Sequence, residues 1–207
     1  MNAIPASRFT EFILRENGLD RHGFQAWAFL PGMLFKAGDK WWGDRGKRTL
    51  PHEGLDFFLF NNGWGRVLRL GEGTRIPAMY GGTVVAIIDH FLGKSIVLEH
   101  RFPELGGPLL TIYGHTVVGE VLQLNSAVGA GEIIGTLADS RRSKAHAHPH
   151  LHVSLARPSE GTTYDSLGWR YLNDPRFFTM IDPLDVIEGP YLVLGEIEQS
   201  PELIDHG

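Results

Sequence analysis

The sequence predicts a mainly all-β protein, an antiparallel β-sandwich or barrel-like domain preceded by one short helix. Three observations carry that reading. From His52 onward, short β-branched or aromatic segments alternate with glycine-containing turns: VLRL, GTVVAIID, KSIVLEH, LLTIYGH, EVLQL, EIIGTLA and LHVSL. Their close spacing, with no internal repeat and no long polar linker, suits strands that pair with their neighbours. A chain of 207 residues with 43% hydrophobic content can bury one substantial core.

Residues 7–16 (SRFTEFILRE) place Phe9, Phe12 and Ile13 on one helical face, with Ser7 as candidate N-cap and Gly18 as the stop. We read 1–28 as an N-terminal helical extension used for packing. Residues 29–48 are Gly- and Trp-rich and read as irregular loop with short strand. Within them Trp41 and Trp42 either wall a substrate site or pack beneath the loop. The strand-rich domain is expected to span 29–198, with a polar and aromatic insertion at 158–178. MIDPLDVIEG follows as a docking element, and 199–207 are a loose tail.

Composition removes several classes of function. The chain has 19 basic and 24 acidic residues, a formal charge of −5, and no long basic block. An electrostatically driven nucleic-acid binder needs the opposite. With no cysteine there can be no disulfide, thiolate metal site or cysteine nucleophile. No apolar run approaches the roughly 18 residues of a membrane span. The N-terminus lacks the basic start and apolar stretch of a secretory signal, so the chain as written is expected in the cytoplasm. A periplasmic or extracellular location would follow from a trimmed signal or another export route. Oligomeric state is left open.

The chemistry lies in two short segments. PHEGLD offers His52 and Asp56, and HPHLH offers His150 and His152 about a hundred residues later. Zinc takes imidazole nitrogen and carboxylate oxygen, and a catalytic site uses three protein ligands with one open position. Strand side chains alternate, so residues two or four apart share a face. His52 and Asp56 are expected to converge on one ion from one strand, and His150 and His152 from another. HVSLA alternates as a half-buried strand should, with Val153 and Leu155 opposite His152 and Ser154. That favours a built site over a surface His-rich tract formed by HAHPHLH with His146 and His148. PHEGLD also begins like the helical His-Glu-x-x-His motif. Its fifth residue is Asp56, however, and Gly54 weakens a helix. Glu53 is therefore expected on the opposite face, as a structural or supporting residue. His22, His90, His100 and His206 carry no comparable context.

With these segments in order, the chain resembles the lysostaphin-type, or LytM-like, zinc metallopeptidases over roughly residues 32–190. PHEGLDF is similar to the family's His-x-Gly-x-Asp-Phe segment, and IPAMYGGTVVAI to its Gly-rich turn and strand. TIYGH is similar to its Tyr-x-His, HPHLHVSL to its His-x-His strand, and IDPLDVI to its closing Asp-Pro. The resemblance implies a β-sandwich with a groove along one sheet. It implies one Zn²⁺ per chain, held by His52, Asp56 and His152, with His150 and His115 as catalytic histidines. Activity would be metalloendopeptidase, most readily on peptidoglycan cross-link peptides, with a zinc-activated water and a histidine base. His150 is assigned as base and His115 as oxyanion partner, with exchange of the two left open. Tyr113 is a weaker supporting candidate. The stretch NNGWGRVLRLGEGTR and the 158–178 insertion both look longer than the family's pattern. The alternatives are a silent regulator of a cell-wall enzyme, a peptidase for an intracellular peptide, and a metal-buffering protein using the His tract alone.

Overall fold

A computed structural model describes residues 3–90, 92–139, 147–164 and 169–195. Two open sheets form the protein. The larger contains β6 (Gly82–His90), β7 (Gly93–Arg101), β8 (Pro108–Val118), β9 (Ala127–Val128), β11 (Leu151–Pro158) and β12 (Phe178–Ile181). Its order is β12-β11-β8-β7-β6-β9; β2 (Leu55–Phe57) pairs with β11, while β10 (Ile133–Leu137) pairs with β8 and with β5 (Arg75–Pro77). The smaller sheet runs β13-β1-β3-β4, from β1 (Phe24–Phe29), β3 (Leu59–Asn62), β4 (Val67–Arg69) and β13 (Tyr191–Val193). Every pairing is antiparallel except β1 with β13. The sandwich reading holds, and neither sheet closes into a barrel.

One core draws on both sheets, joining Trp27, Phe29, Phe57 and Leu59 to Ile96, Leu98, Tyr113, Val153 and Leu155. Alternation along β11 sends Leu151, Val153 and Leu155 into this core and leaves His152, Ser154 and Ala156 on the other face. That outer face is roofed at one end by a second cluster. Ala86, Val97, Leu110, Ile112 and Ala156 lie under Leu172 and Phe178, with Tyr164 packed against them. The segment that supplies the roof includes helix α2 (Trp169–Leu172). What stays open is the other end of the face, where the histidines gather.

The N-terminal helix, α1, spans Phe9–Asn17. Gly18 ends it in the left-handed conformation, as expected, and Phe9, Phe12 and Ile13 are buried. Its N-cap is Arg8, without a side-chain cap. Ser7 instead forms a bridge with Ile187 and donates its hydroxyl to Met79 O at 3.0 Å. A packed tether there replaces the cap. MIDPLDVIEG docks as read: Asp182 accepts from Leu184 N–H at 3.0 Å, and Val186 and Ile187 are buried. The tail at 199–207 lies outside the described residues. No helix among the described residues is long and apolar enough to cross a membrane.

Two strand expectations change. EVLQL is a turn, not a strand, with Val121 90% exposed. Leu122 N–H closes onto Gly119 O and Ser126 N–H onto Gln123 O, so the β-branched pattern lost to turn hydrogen bonding. In the other direction β1 (FQAWAF) lay hidden because it is buried over Ala26–Phe29 and shows no clean alternation. Phe57 is the keystone of this side of the core, with ring centroids of Phe9, Trp27 and Phe29 at 5.5, 4.9 and 5.6 Å. We expect Phe57→Ala to cost about 3–5 kcal/mol, from lost transfer energy plus a cavity. Equilibrium urea unfolding reads it directly, and a loss below about 1 kcal/mol would contradict this packing role.

Candidate metal centre

The centre is built by strand pairing. β2 lies antiparallel to β11, and the register sets Asp56 directly opposite His152. Leu55 and Phe57 anchor β2 in the core, so Asp56 must face outward with His152. His52 does not share this strand. It lies in the preceding loop, fixed by backbone bonds from His52 N–H to Ala37 O (3.0 Å) and from Lys36 N–H to His52 O (2.8 Å). Gly54 makes the approach feasible, since a Cβ there would meet Val153 O at 2.4 Å and Ser154 Oγ at 2.7 Å. The convergence of His52 with Asp56 is therefore real but comes from a loop crossing β11, not from strand alternation.

Three donor atoms meet. His152 Nδ1 is 2.9 Å from Asp56 Oδ1; His52 Nε2 is 3.2 Å from each of those atoms. Tetrahedral zinc at ~2.0–2.1 Å from nitrogen and oxygen ligands sets them roughly 3.3 Å apart, so the triangle has the size the ion requires. Each group has an orienting partner behind it. His52 Nδ1–H donates to Leu34 O at 3.0 Å, which leaves Nε2 as a lone pair. His152 has Nε2 2.8 Å from Ser154 Oγ and 3.5 Å from Glu53 Oε1, so a proton held there leaves Nδ1 for a cation. Asp56 Oδ2 accepts from Trp41 Nε1 at 2.7 Å. All three side chains are buried. Burial by itself would raise the Asp56 carboxyl, but the surrounding imidazoles of His52, His150 and His152 favour its anion and hold it well below its usual range. The donor set fits Zn²⁺.

The other two histidines stand beside this triangle. His150 immediately precedes β11, and its Nδ1–H donates to His148 O at 2.7 Å. Its Nε2 is therefore a lone pair, 3.9 Å from Asp56 Oδ1. His115 reaches the same place through a bulge in β8. Between the pairs Ile96↔Tyr113 and Lys94↔Thr116, β8 carries one residue more than β7, and His115 sits there at φ +63°. Without the bulge His115 would share a face with Tyr113, which is in the core; the extra residue turns it outward. A non-glycine residue at such a φ costs on the order of 1–3 kcal/mol, a strain typical of functional positions. The His115 and His150 ring centroids are 4.5 Å apart. Burial pushes both imidazoles below their ordinary value, His115 well below, which favours the neutral form of each. Tyr113 is a packed core aromatic whose hydroxyl accepts from Met79 N–H at 2.7 Å.

A cavity of about 310 Å³ opens over the centre, lined by the five predicted residues and by Trp42, Arg48, Glu53, His90, Leu92 and Ala147. Glu53 is thus at the site, beside His152, and not on an opposite face, because the chain from 52 to 54 is not extended strand. His90 also belongs here, with its ring centroid 5.0 Å from that of His115. It continues the outward-facing Ala86 and Ile88 of β6, a signal readable only once those two were known to face the groove. His100 is structural, between Gly81 O and Thr111 Oγ1. The two tryptophans divide the alternatives: Trp41 packs beneath the loop and holds Asp56, while Trp42 walls the cavity. Trp41→Phe should weaken zinc binding by roughly 10–100-fold, the usual cost of removing a supporting partner. Competition with a zinc indicator measures it, and unchanged affinity would remove Trp41 from the centre.

The His tract does not act as a unit. His148 stacks on Phe58 at 5.3 Å and lines a different cavity, and His146 lies outside the described residues, as does His206.

Among solved structures, a peptidase M23 from Pseudomonas aeruginosa is 23% identical over 72% of this chain and 56% of its own, with a TM-score of 0.38. The catalytic domain of the antimicrobial peptidase lysostaphin from Staphylococcus simulans is 20% identical over 78% and 86%, with a TM-score of 0.42. A zinc-containing peptidase from Vibrio cholerae is 20% identical over 65% and 37%, with a TM-score of 0.41. The chain thus spans about half the length of the Pseudomonas protein and less of the Vibrio one. No curated protein matches it. The model of Peptidase family M23 matches residues 61–165, just over half of the chain, a span that holds His115, His150 and His152 and begins after Asp56. By that match the chain belongs to peptidase family M23.

Proposed function

We propose that this protein is a zinc-dependent metalloendopeptidase that hydrolyses peptide bonds in peptidoglycan cross-link peptides. One observation carries the reading: His52 Nε2, Asp56 Oδ1 and His152 Nδ1 converge beside the His150 Nε2 lone pair. A Zn²⁺ held by those three atoms supplies Lewis acidity, which activates water and polarises a scissile carbonyl. The remaining work falls to the chain's own residues.

His150 takes the proton of the attacking water at Nε2. Its bond to His148 O favours that tautomer, and burial favours the neutral ring that can accept a proton. It can later return the proton to the leaving amine. His115 is suited to the complementary task. Its Nδ1 is buried without a partner among the described residues. Holding the proton at Nε2 leaves a bare acceptor there, which is tolerated better than an orphaned N–H. In that tautomer Nε2–H is a donor for negative charge developing on the carbonyl oxygen. The cell-wall substrate rests on the resemblance to lysostaphin-type enzymes and would place the working enzyme outside the cytoplasm.

The test is peptide release from purified peptidoglycan by zinc-loaded protein, beside its His150→Ala variant. Release by the wild type, stopped by a chelator and absent from the variant, is expected. No release while one tight zinc remains bound would turn the reading toward a regulatory module or a different peptide.

A further inference from the structure

We infer that Arg48 is a specificity residue that reads a carboxylate on the substrate next to the scissile bond. The inference rests on the proposed peptidase and names the chemical class its site selects. Arg48 is the one permanently cationic residue among the described residues that line the cavity. Its side chain is only 13% exposed. It is held by three contacts: stacking over Trp42 at 4.4 Å, Nη2–H to Gly32 O at 3.0 Å, and Nε–H to Asp39 O at 3.2 Å.

None of these contacts satisfies the charge with a carboxylate fork. The nearest carboxylate recorded beside it, Asp56 Oδ2, is 3.6 Å away and already accepts from Trp41 at 2.7 Å. Among the described residues Nη1 donates to no one. The guanidinium is therefore pre-positioned, and since Nη1 is not among the buried unpartnered atoms, it keeps a donor open to whatever enters the cavity. Zinc adds to the demand. With the ion bound, its two charges and that of Arg48 outweigh Asp56 and Glu53, which leaves the centre positive.

Planar, rigidly held guanidinium is suited to carboxylate, which it can grip through two parallel bonds. Arg48 Nη2 lies 3.6 Å from Oδ2 of the ligand Asp56, which puts a carboxylate bound there close to the reacting carbonyl. Two sources share this chemistry: the C-terminal carboxylate of a stem peptide, or a carboxylate carried along its length.

The experiment measures binding, so that it does not depend on turnover. Zinc-loaded His150→Ala protein is titrated calorimetrically with a stem peptide ending in D-Ala-D-Ala, as free acid and as C-terminal amide. A second pair has the internal glutamate carboxylate free or amidated. Amidation is expected to weaken binding by roughly ten-fold or more in one pair, the worth of a charge-assisted bond, and that pair identifies the source. Adding Arg48→Gln should bring the acid-to-amide ratio close to one, with Arg48→Lys intermediate, while one zinc per chain is retained. A ratio near one before Arg48 is changed, a ratio that survives Arg48→Gln, or no binding of any of the four peptides would overturn the inference. Failure of the peptidase reading shows separately, as absence of hydrolysis by the His150-containing enzyme.

Discussion

Replacing Asp56 with Ala should abolish tight zinc binding, an effect shared only with loss of the ligands His52 and His152. The carboxylate provides one corner of the donor triangle, 2.9 Å from His152 Nδ1 and 3.2 Å from His52 Nε2. It also supplies the negative charge nearest both the ion and Arg48. Two imidazoles alone leave the ion short of the three protein ligands a catalytic site uses. The loss should therefore exceed the roughly 10–100-fold that follows removal of a supporting group. Zinc stoichiometry after dialysis and competition with an indicator would read it. One tightly held zinc in Asp56→Ala would mean that the ion sits elsewhere, with the His tract as the first place to look. Asp56→Asn distinguishes charge from shape: it keeps an oxygen on the same strand but removes the anion, and it is expected to bind more weakly than wild type.

This centre was partly legible because its geometry follows from pairing rules. In β2, apolar Leu55 and Phe57 flank Asp56, and in β11 Leu151 and Val153 flank His152, so both polar residues had to face away from the core. That much needs only period-two alternation. For His52 the period-two argument is incomplete, because the loop that delivers it passes β11 only where Gly54 has no Cβ. His115 was assigned by resemblance, and no period reveals it: the bulge in β8 reverses the alternation at that residue. The side on which the supporting residue Glu53 stands, and the place of His90 at the site, escape sequence reading through the same limitation. One depends on a loop path and the other on which face of β6 is open. Trp41 holds Asp56, and Arg48 lines the cavity, from an irregular segment held by backbone bonds, such as Arg48 N–H to Gly38 O, that no local pattern encodes.

The division of labour between the two unliganded histidines is the sharper test, because the sequence allowed either assignment and the hydrogen bonds favour one. His150→Ala should lower kcat by about 10²–10⁴ through loss of the base, with zinc stoichiometry unchanged. His115→Ala should cost about 10²–10³, the range for one oxyanion donor. The glutamine variants separate the roles. An amide can donate a hydrogen bond but has no lone pair basic enough to take the water proton. His115→Gln should therefore retain more activity than His115→Ala, whereas His150→Gln should be as inactive as His150→Ala. The reverse pattern would exchange the roles. It would also mean that the bond from His150 Nδ1 to His148 O, which fixes the lone pair at Nε2, does not survive in the working enzyme. The assignment thus turns on a single backbone carbonyl two residues upstream, set in place by the bend at Pro149 that leads into β11.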